Sequence, residues 1–129
     1  MIRGIDHVAL VTTDVHRAAR FYTELLGFRE VQRLETSHSG TIIFLTLGDT
    51  LLELFGGGAP RRDRDSNPVG LRHLCLSVDD IDVEYERLRA LDVPFDMEPR
   101  SVEAGLRIAF FRDPDDNPVE LMQRPQAAS

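Results

Sequence analysis

The chain has 129 residues, of which 42% are hydrophobic and 29% charged, and this balance suits a folded domain rather than a disordered chain. Its 15 Lys and Arg against 22 Asp and Glu give a net charge of −7, which argues against nucleic acid as a partner because phosphate binding needs a basic surface. No apolar run approaches the roughly 20 residues of a transmembrane helix, the first residues lack a signal-peptide pattern, and the single cysteine, Cys75, excludes an internal disulfide. We therefore expect a cytoplasmic protein without a membrane or nucleic-acid partner that acts on or binds a small molecule or another protein.

The sequence contains an internal repeat. His7 begins a stretch of alternating small and apolar residues followed by an acid, and the same pattern begins again at His73, 66 positions later. The segment around Glu53 likewise matches the segment around Glu120, 67 positions later. Two similar halves predict a duplicated structural unit.

The first half opens with a strand followed by a helix. The alternating stretch 5–12 predicts the strand. Asp14 is a good N-cap for the helix, and Gly27 supplies its end. One face of this helix is apolar: Val15, Ala18, Ala19, Tyr22, Leu25 and Leu26.

Three further strands complete the first half. They are predicted near 28–35, 41–47 and 50–55. Gly48 and Asp49 favour a tight hairpin between the last two. If these two residues form the turn, Thr46 pairs with Leu51 and Phe44 pairs with Glu53.

The second half repeats this order. A strand is predicted at 71–78, and a helix begins behind Asp79 or Asp80. The apolar face of that helix comprises Ile81, Tyr85, Leu88 and Leu91. Further strands are predicted near 94–98, 106–112 and 118–123. Pro94 and Pro99 should make the first of these short and irregular.

The predicted class is therefore α+β, with two tandem βαβββ modules in one domain spanning 1–129. The first module covers about 5–56 and the second about 71–123. Between them, 57–70 is rich in Gly and Pro and lacks apolar periodicity, which is typical of a linker.

Two histidines and two glutamates occupy matched positions in the two halves. Because side chains alternate along a strand, His7 should lie on the face opposite Val8 and Leu10, and the same holds for His73, Glu53 and Glu120 against their apolar neighbours. Imidazole nitrogens and carboxylate oxygens together form a good ligand set for a divalent metal. A single histidine or glutamate in a strand is more often an exposed or hydrogen-bonded side chain, and it is the doubled pattern that favours the metal interpretation.

The remaining candidates for chemistry are weaker. His16 reads as a surface residue, and His38 lies in a polar turn. Cys75, predicted in mid-strand, reads as part of a cavity wall, because thiols among apolar neighbours are usually inert. The sequence has neither a phosphate-binding loop nor a nucleophile elbow.

At the level of motifs, the chain resembles the vicinal oxygen chelate superfamily, which includes glyoxalase I, methylmalonyl-CoA epimerase, extradiol dioxygenases and antibiotic-resistance proteins. The motifs that carry the resemblance are 5–10, IDHVAL; 18–28, AARFYTELLGF; 52–54, LEL; 70–79, GLRHLCLSVD; and 113–121, DPDDNPVEL. They extend from about Ile5 to Gln123, nearly the whole chain.

The resemblance implies that the paired modules form a U-shaped cleft with a metal in it, and that a chain of this length forms a homodimer whose sites are completed across the subunit interface. Carried over by position, the metal ligands are His7, Glu53, His73 and Glu120. They imply one divalent ion per site, Zn, Ni, Co, Mn or Fe, since nitrogen and oxygen ligands accept several metals.

The activity so implied is that of a metal-dependent lyase or isomerase of the glyoxalase I or epimerase type, which enolises a small carbonyl substrate that chelates the metal. In this chemistry Glu120 is the catalytic base, and Glu53 is the equivalent glutamate of the other half, across the pseudo-twofold axis. Glyoxalase I commonly has an arginine where this chain has Val11, and an asparagine where it has Gly57, which argues against glutathione as cosubstrate. The alternatives are an extradiol-type iron dioxygenase and a non-catalytic protein that binds an antibiotic or another small molecule.

Overall fold

A computed structural model describes residues 1–61 and 66–126. The chain divides into two compact units, Met1–Arg62 and Asp63–Ser129. Positions 62–65, which belong to the predicted linker, lie outside the described residues, and the described remainder of 57–70 forms neither helix nor strand. Each unit has the predicted βαβββ order, which confirms the α+β class.

The first unit contains one helix and a four-stranded mixed sheet. Its elements are β1 (Val8–Val11), α1 (Val15–Arg20) with a π-helical continuation (Phe21–Leu25), β2 (Arg29–Thr36), β3 (Gly40–Leu47) and β4 (Thr50–Phe55). The strand order is β1-β4-β3-β2, with β1 parallel to β4 and the other neighbours antiparallel. The helix packs on β3 and β4, so one face of the sheet is covered.

The second unit repeats the first. Its elements are β5 (Leu74–Ser77), α2 (Ile81–Ala90), β6 (Phe95–Ser101), β7 (Arg107–Arg112) and β8 (Pro118–Gln123), with a short 3₁₀ turn at Glu103–Gly105. The strand order is β5-β8-β7-β6, with β5 parallel to β8. The helix α2 packs on β6, β7 and β8.

Both helices begin where the sequence provides a cap. Asp14 Oδ1 accepts the backbone N–H groups of His16 and Arg17, each at 3.1 Å, and these bonds lower the pKa of the Asp14 carboxyl. In the second unit Asp80, rather than Asp79, caps α2 through the N–H groups of Asp82 and Val83. Each bond satisfies an amide that has no partner within the helix.

Aliphatic and aromatic side chains between helix and sheet form a core in each unit. In the first they are Val15, Ala18, Ala19, Tyr22, Phe28, Ile43, Leu45, Leu52 and Leu54. In the second they are Ile81, Tyr85, Leu88, Val93, Ala109, Phe111, Val119 and Leu121. The predicted helical faces are thus largely confirmed, although Leu25 and Leu26 are only partly buried. Leu91 is 48% exposed, and its placement on the apolar face of the helix was wrong because α2 ends one residue earlier.

The hairpin prediction is confirmed, and the strand bounds need three corrections. Leu47 pairs with Thr50 across the Gly48-Asp49 turn, and φ at Gly48 is +56°, which a glycine adopts without strain. The first strand of each unit is shorter than predicted, beginning after the histidine in both cases. The strand β6 is longer than predicted and continues past Pro99, with two register shifts against β7.

Candidate metal centre

In the first unit, His7 and Glu53 face each other on the sheet surface that the helix leaves open. Glu53 is in β4, between Phe44 of β3 and Ala9 of β1. His7 precedes β1, two residues before Ala9, and its Nε2 lies 3.9 Å from Glu53 Oε1. The Phe44 ring meets the imidazole edge to face, with ring centroids 5.8 Å apart. The predicted pairing of Phe44 with Glu53 is confirmed, and it puts an apolar ring beside both polar groups.

The second unit holds an equivalent pair. Glu120 is in β8, between Phe110 of β7 and Cys75 of β5. His73 Nε2 lies 3.1 Å from Glu120 Oε1, and the Phe110 ring meets the imidazole edge to face at 5.3 Å. Each unit therefore presents one nitrogen donor and one oxygen donor beside a phenylalanine.

The strand pairing explains why residues so far apart in sequence meet. The parallel pairs β1–β4 and β5–β8 bring the start of each unit beside its last strand, and alternation turns histidine and glutamate to one face. On the other face, Leu52, Leu54, Val119 and Leu121 are buried under the helices. The core thus fixes the direction of both glutamates.

A carboxylate holds the far side of the His7 ring. Asp6 Oδ2 lies 2.8 Å from His7 Nδ1. This hydrogen bond raises the pKa of His7, burial opposes it, and the negative charges of Glu53 and Asp6 add to the rise. Asp6 is not among the site residues predicted from the sequence, although an acid directly before a candidate ligand is a readable signal.

Cys75 occupies the place that Ala9 has in the first unit. Although Cys75 as a residue is exposed, burial of the thiol, together with a hydrogen bond and the charge of Glu120, raises the pKa of Cys75 to about 12. The thiol therefore stays protonated near neutral pH, which agrees with the interpretation of Cys75 as an inert part of the wall.

The other histidines lie elsewhere. His16 is an exposed residue of α1, and His38 lies in the turn between β2 and β3. Among the described residues, no group of three or more His, Cys, Asp and Glu side chains is arranged to hold a metal ion. The structure thus brings the four predicted ligands together as two pairs, one within each unit.

This fold agrees with comparisons to known proteins. The model of the Glyoxalase/Bleomycin resistance protein/Dioxygenase superfamily matches residues 4–121. The chain belongs to this superfamily. Within 1–61 and 66–126, no helix is long and apolar enough to cross a membrane.

Relatives within the glyoxalase superfamily have several named activities. An ethylmalonyl-CoA/methylmalonyl-CoA epimerase of Cereibacter sphaeroides is 34% identical, with 95% of this chain and 99% of the relative covered. A lactoylglutathione lyase of Pseudomonas putida is 30% identical, with 92% and 83% covered. Among solved structures, TnmS3, an antibiotic binding protein from Streptomyces sp. CB03234, matches with a TM-score of 0.77 at 28% identity, with 96% of this chain and 98% of that chain covered.

Proposed function

We propose that this chain is a divalent-metal-dependent lyase or isomerase that moves a proton on the carbon next to a carbonyl group. The observation that carries the proposal is the matched His–Glu pair in each unit, which lies beside a phenylalanine at the equivalent strand position. The named activities of the epimerase and lyase relatives support this reaction class.

The donor set fits a divalent cation. Each pair offers one imidazole nitrogen and one carboxylate oxygen, and two such pairs offer four donors whose two negative charges balance the dication. We propose that His7 and Glu53 of one chain and His73 and Glu120 of a second copy share one ion in a homodimer. Zn, Ni, Co, Mn and Fe all suit these ligands.

A bound divalent cation supplies Lewis-acid polarisation of the substrate carbonyl, which makes the neighbouring C–H more acidic. The chain's own residues supply the base. Glu120 is the better candidate because it is buried, with 9% of its side chain exposed against 18% for Glu53. A carboxylate held in place beside the substrate carbon can take its proton in the transition state as a general base.

The neighbouring aromatic rings shape the site. Phe44 and Phe110 each lie beside one histidine–glutamate pair. They exclude water from one side of each carboxylate, and electrostatic interactions are stronger where water is excluded. Glu53, on the equivalent strand of the first unit, is the partner that returns a proton to the opposite face of the substrate carbon.

The substrate belongs to the class of small carbonyl compounds with a second oxygen nearby. Val11 is 53% exposed on the open face of β1, where it offers no charge to a glutathione carboxylate. A glutathione conjugate is therefore a poorer candidate than a carbonyl compound without that group.

Proton exchange in deuterated water tests the reaction class without knowledge of the final product. Protein loaded with Zn²⁺, Ni²⁺, Co²⁺ or Mn²⁺ is incubated with methylmalonyl-CoA, lactoylglutathione and simple α-hydroxycarbonyl compounds, and deuterium at the carbon next to the carbonyl is followed by NMR. We expect metal-dependent exchange with at least one compound, which Glu120→Gln abolishes. Exchange that is equal with and without metal, or equal in Glu120→Gln, would contradict the proposal.

A second candidate function is non-catalytic binding of an antibiotic or similar small molecule. The similarity to TnmS3 over nearly the whole chain favours it. This function predicts ligand affinity that does not change in His7→Ala or Glu120→Ala and needs no metal. Oxygen uptake with a catechol and Fe²⁺ would instead indicate the dioxygenase alternative.

A further inference from the structure

His7 and His73 differ in the hydrogen-bond partner of Nδ1, and the difference comes from the residue that precedes each histidine. Asp6 precedes His7 and accepts a hydrogen bond at Nδ1, 2.8 Å away. Arg72 precedes His73, and no carboxylate is found at Nδ1 of His73 within 1–61 and 66–126. Within the part of the chain that the structure describes, an anion lies behind the ring of His7 and none behind that of His73.

This contact determines the tautomer of His7. A carboxylate can only accept a hydrogen bond, so in the neutral ring the proton resides on Nδ1 and the lone pair on Nε2. Nε2 is the nitrogen that points toward Glu53, and at 3.9 Å it is too far from Oε1 for a hydrogen bond. The lone pair therefore faces the position where the second donor of the pair lies.

His73 is placed in the opposite way. Its Nε2 lies 3.1 Å from Glu120 Oε1, a distance that favours a proton on Nε2 rather than a lone pair. The lone pair of a neutral His73 is then on Nδ1, away from its glutamate. These contacts thus favour a different tautomer of the neutral ring in each unit.

We infer that Asp6 is a positioning residue, which holds His7 as the Nδ1–H tautomer and presents Nε2 as a preformed metal ligand. The inference rests on the proposed metal site and adds a residue to it. Outer carboxylates of this kind orient a ligating histidine and make its nitrogen more basic, and their loss lowers metal affinity about 10–100-fold. The described residues give His73 no such support, and a His73 ring with its proton on Nε2 has to lose that proton before Nε2 can bind.

Nitrogen-15 NMR of the protein without added metal, recorded across a pH series, measures the tautomers of the neutral rings directly. Two-bond 15N–1H correlations are assigned with His7→Ala and His73→Ala. We expect the Nδ1–H form to predominate for His7 and the Nε2–H form for His73. In Asp6→Ala, His7 should change to a mainly Nε2–H form while His73 stays as it was.

Arg72→Ala is the matched control, because it truncates the equivalent residue of the second unit without removing a carboxylate from an imidazole. It should leave both tautomers and the affinity for Zn²⁺ unchanged, whereas Asp6→Ala should weaken Zn²⁺ binding in calorimetry about 10–100-fold. Asp6→Asn, which is nearly isosteric, serves if Asp6→Ala does not fold. Its amide donates as well as accepts, so the preference for Nδ1–H must fall.

The results separate this inference from the proposed function. A wild-type His7 that is mainly Nε2–H, or tautomers unchanged in both Asp6 variants, overturns the role of Asp6 even if the protein binds Zn²⁺ tightly. A wild-type protein that fails to bind Zn²⁺ overturns the metal site, and with it the role of Asp6 in ligand positioning, whatever the tautomers are.

Discussion

The two units hold the same pair of side chains in different surroundings. In the first, histidine and glutamate are 3.9 Å apart, Ala9 lies beside the glutamate and Asp6 holds the histidine. In the second, the pair is 3.1 Å apart, the glutamate is more deeply buried and Cys75 lies beside it. The repeated strand pairing keeps one histidine and one glutamate in each unit, whereas neighbouring residues such as Asp6 and Cys75 change the surroundings of each donor. Such adjustment allows the two halves of a duplicated scaffold to differ in detail while each keeps its two donors.

The largest expected effect separates the two glutamates. If Glu120 is the base, Glu120→Gln should lower the rate of proton exchange about 10²–10⁴-fold, the typical contribution of general acid–base catalysis. Glu53→Gln should reduce the rate less at equal metal occupancy, which elemental analysis measures alongside the kinetics. A larger loss in Glu53→Gln would reverse the assignment of the two units.

The next effect distinguishes the core side of β7 from its open side. Phe111 is fully buried, so Phe111→Ala should lower the free energy of unfolding by about 3–5 kcal/mol, as measured with urea. Phe110, the adjacent residue, is partly exposed and lies against His73, and Phe110→Ala should lower it much less. Equal losses would show that the open face also depends on packing within the unit.

The smallest effect concerns the start of α2. Asp80→Ala removes the side chain that accepts two backbone N–H groups and should cost about 1 kcal/mol of unfolding free energy. Asp79→Ala is the matched control, an adjacent exposed acid outside the cap, and should change the free energy by no more than about 0.5 kcal/mol. A cost for Asp79→Ala as large as that for Asp80→Ala would contradict the capping assignment.

Much of the fold could be predicted because its signals are local. Asp14 and Gly27 bound the first helix, and the Gly48-Asp49 turn fixes the register that pairs Phe44 with Glu53. A local pattern does not show where pairing with a neighbouring strand ends. The start of β1 was therefore predicted too early: the alternating pattern begins before His7, but the strand begins only at Val8.

The candidate site was predictable to the level of its residue types. The repeat identifies the histidine and glutamate of each half, and the structure places each pair together. The role of Asp6 depends on the orientation of the His7 ring, which turns Nδ1 toward the Asp6 carboxylate. The place of Cys75 beside Glu120 depends on the register of β5 against β8. Neither can be read from the spacing of residues in the sequence. The proposed sharing of one ion by two chains is a property of an assembly, which no pattern within one sequence specifies.

Metal content is the most direct test of the central claim that the two pairs form one site. Protein purified without an affinity tag is analysed for transition metals, beside His7→Ala and His73→Ala purified in the same way. We predict about one ion per chain in the wild type and loss of that ion in both variants, since each ion in the proposed site needs donors from both kinds of unit. A wild type without bound metal, or a His73→Ala protein that keeps its full metal content, would contradict it.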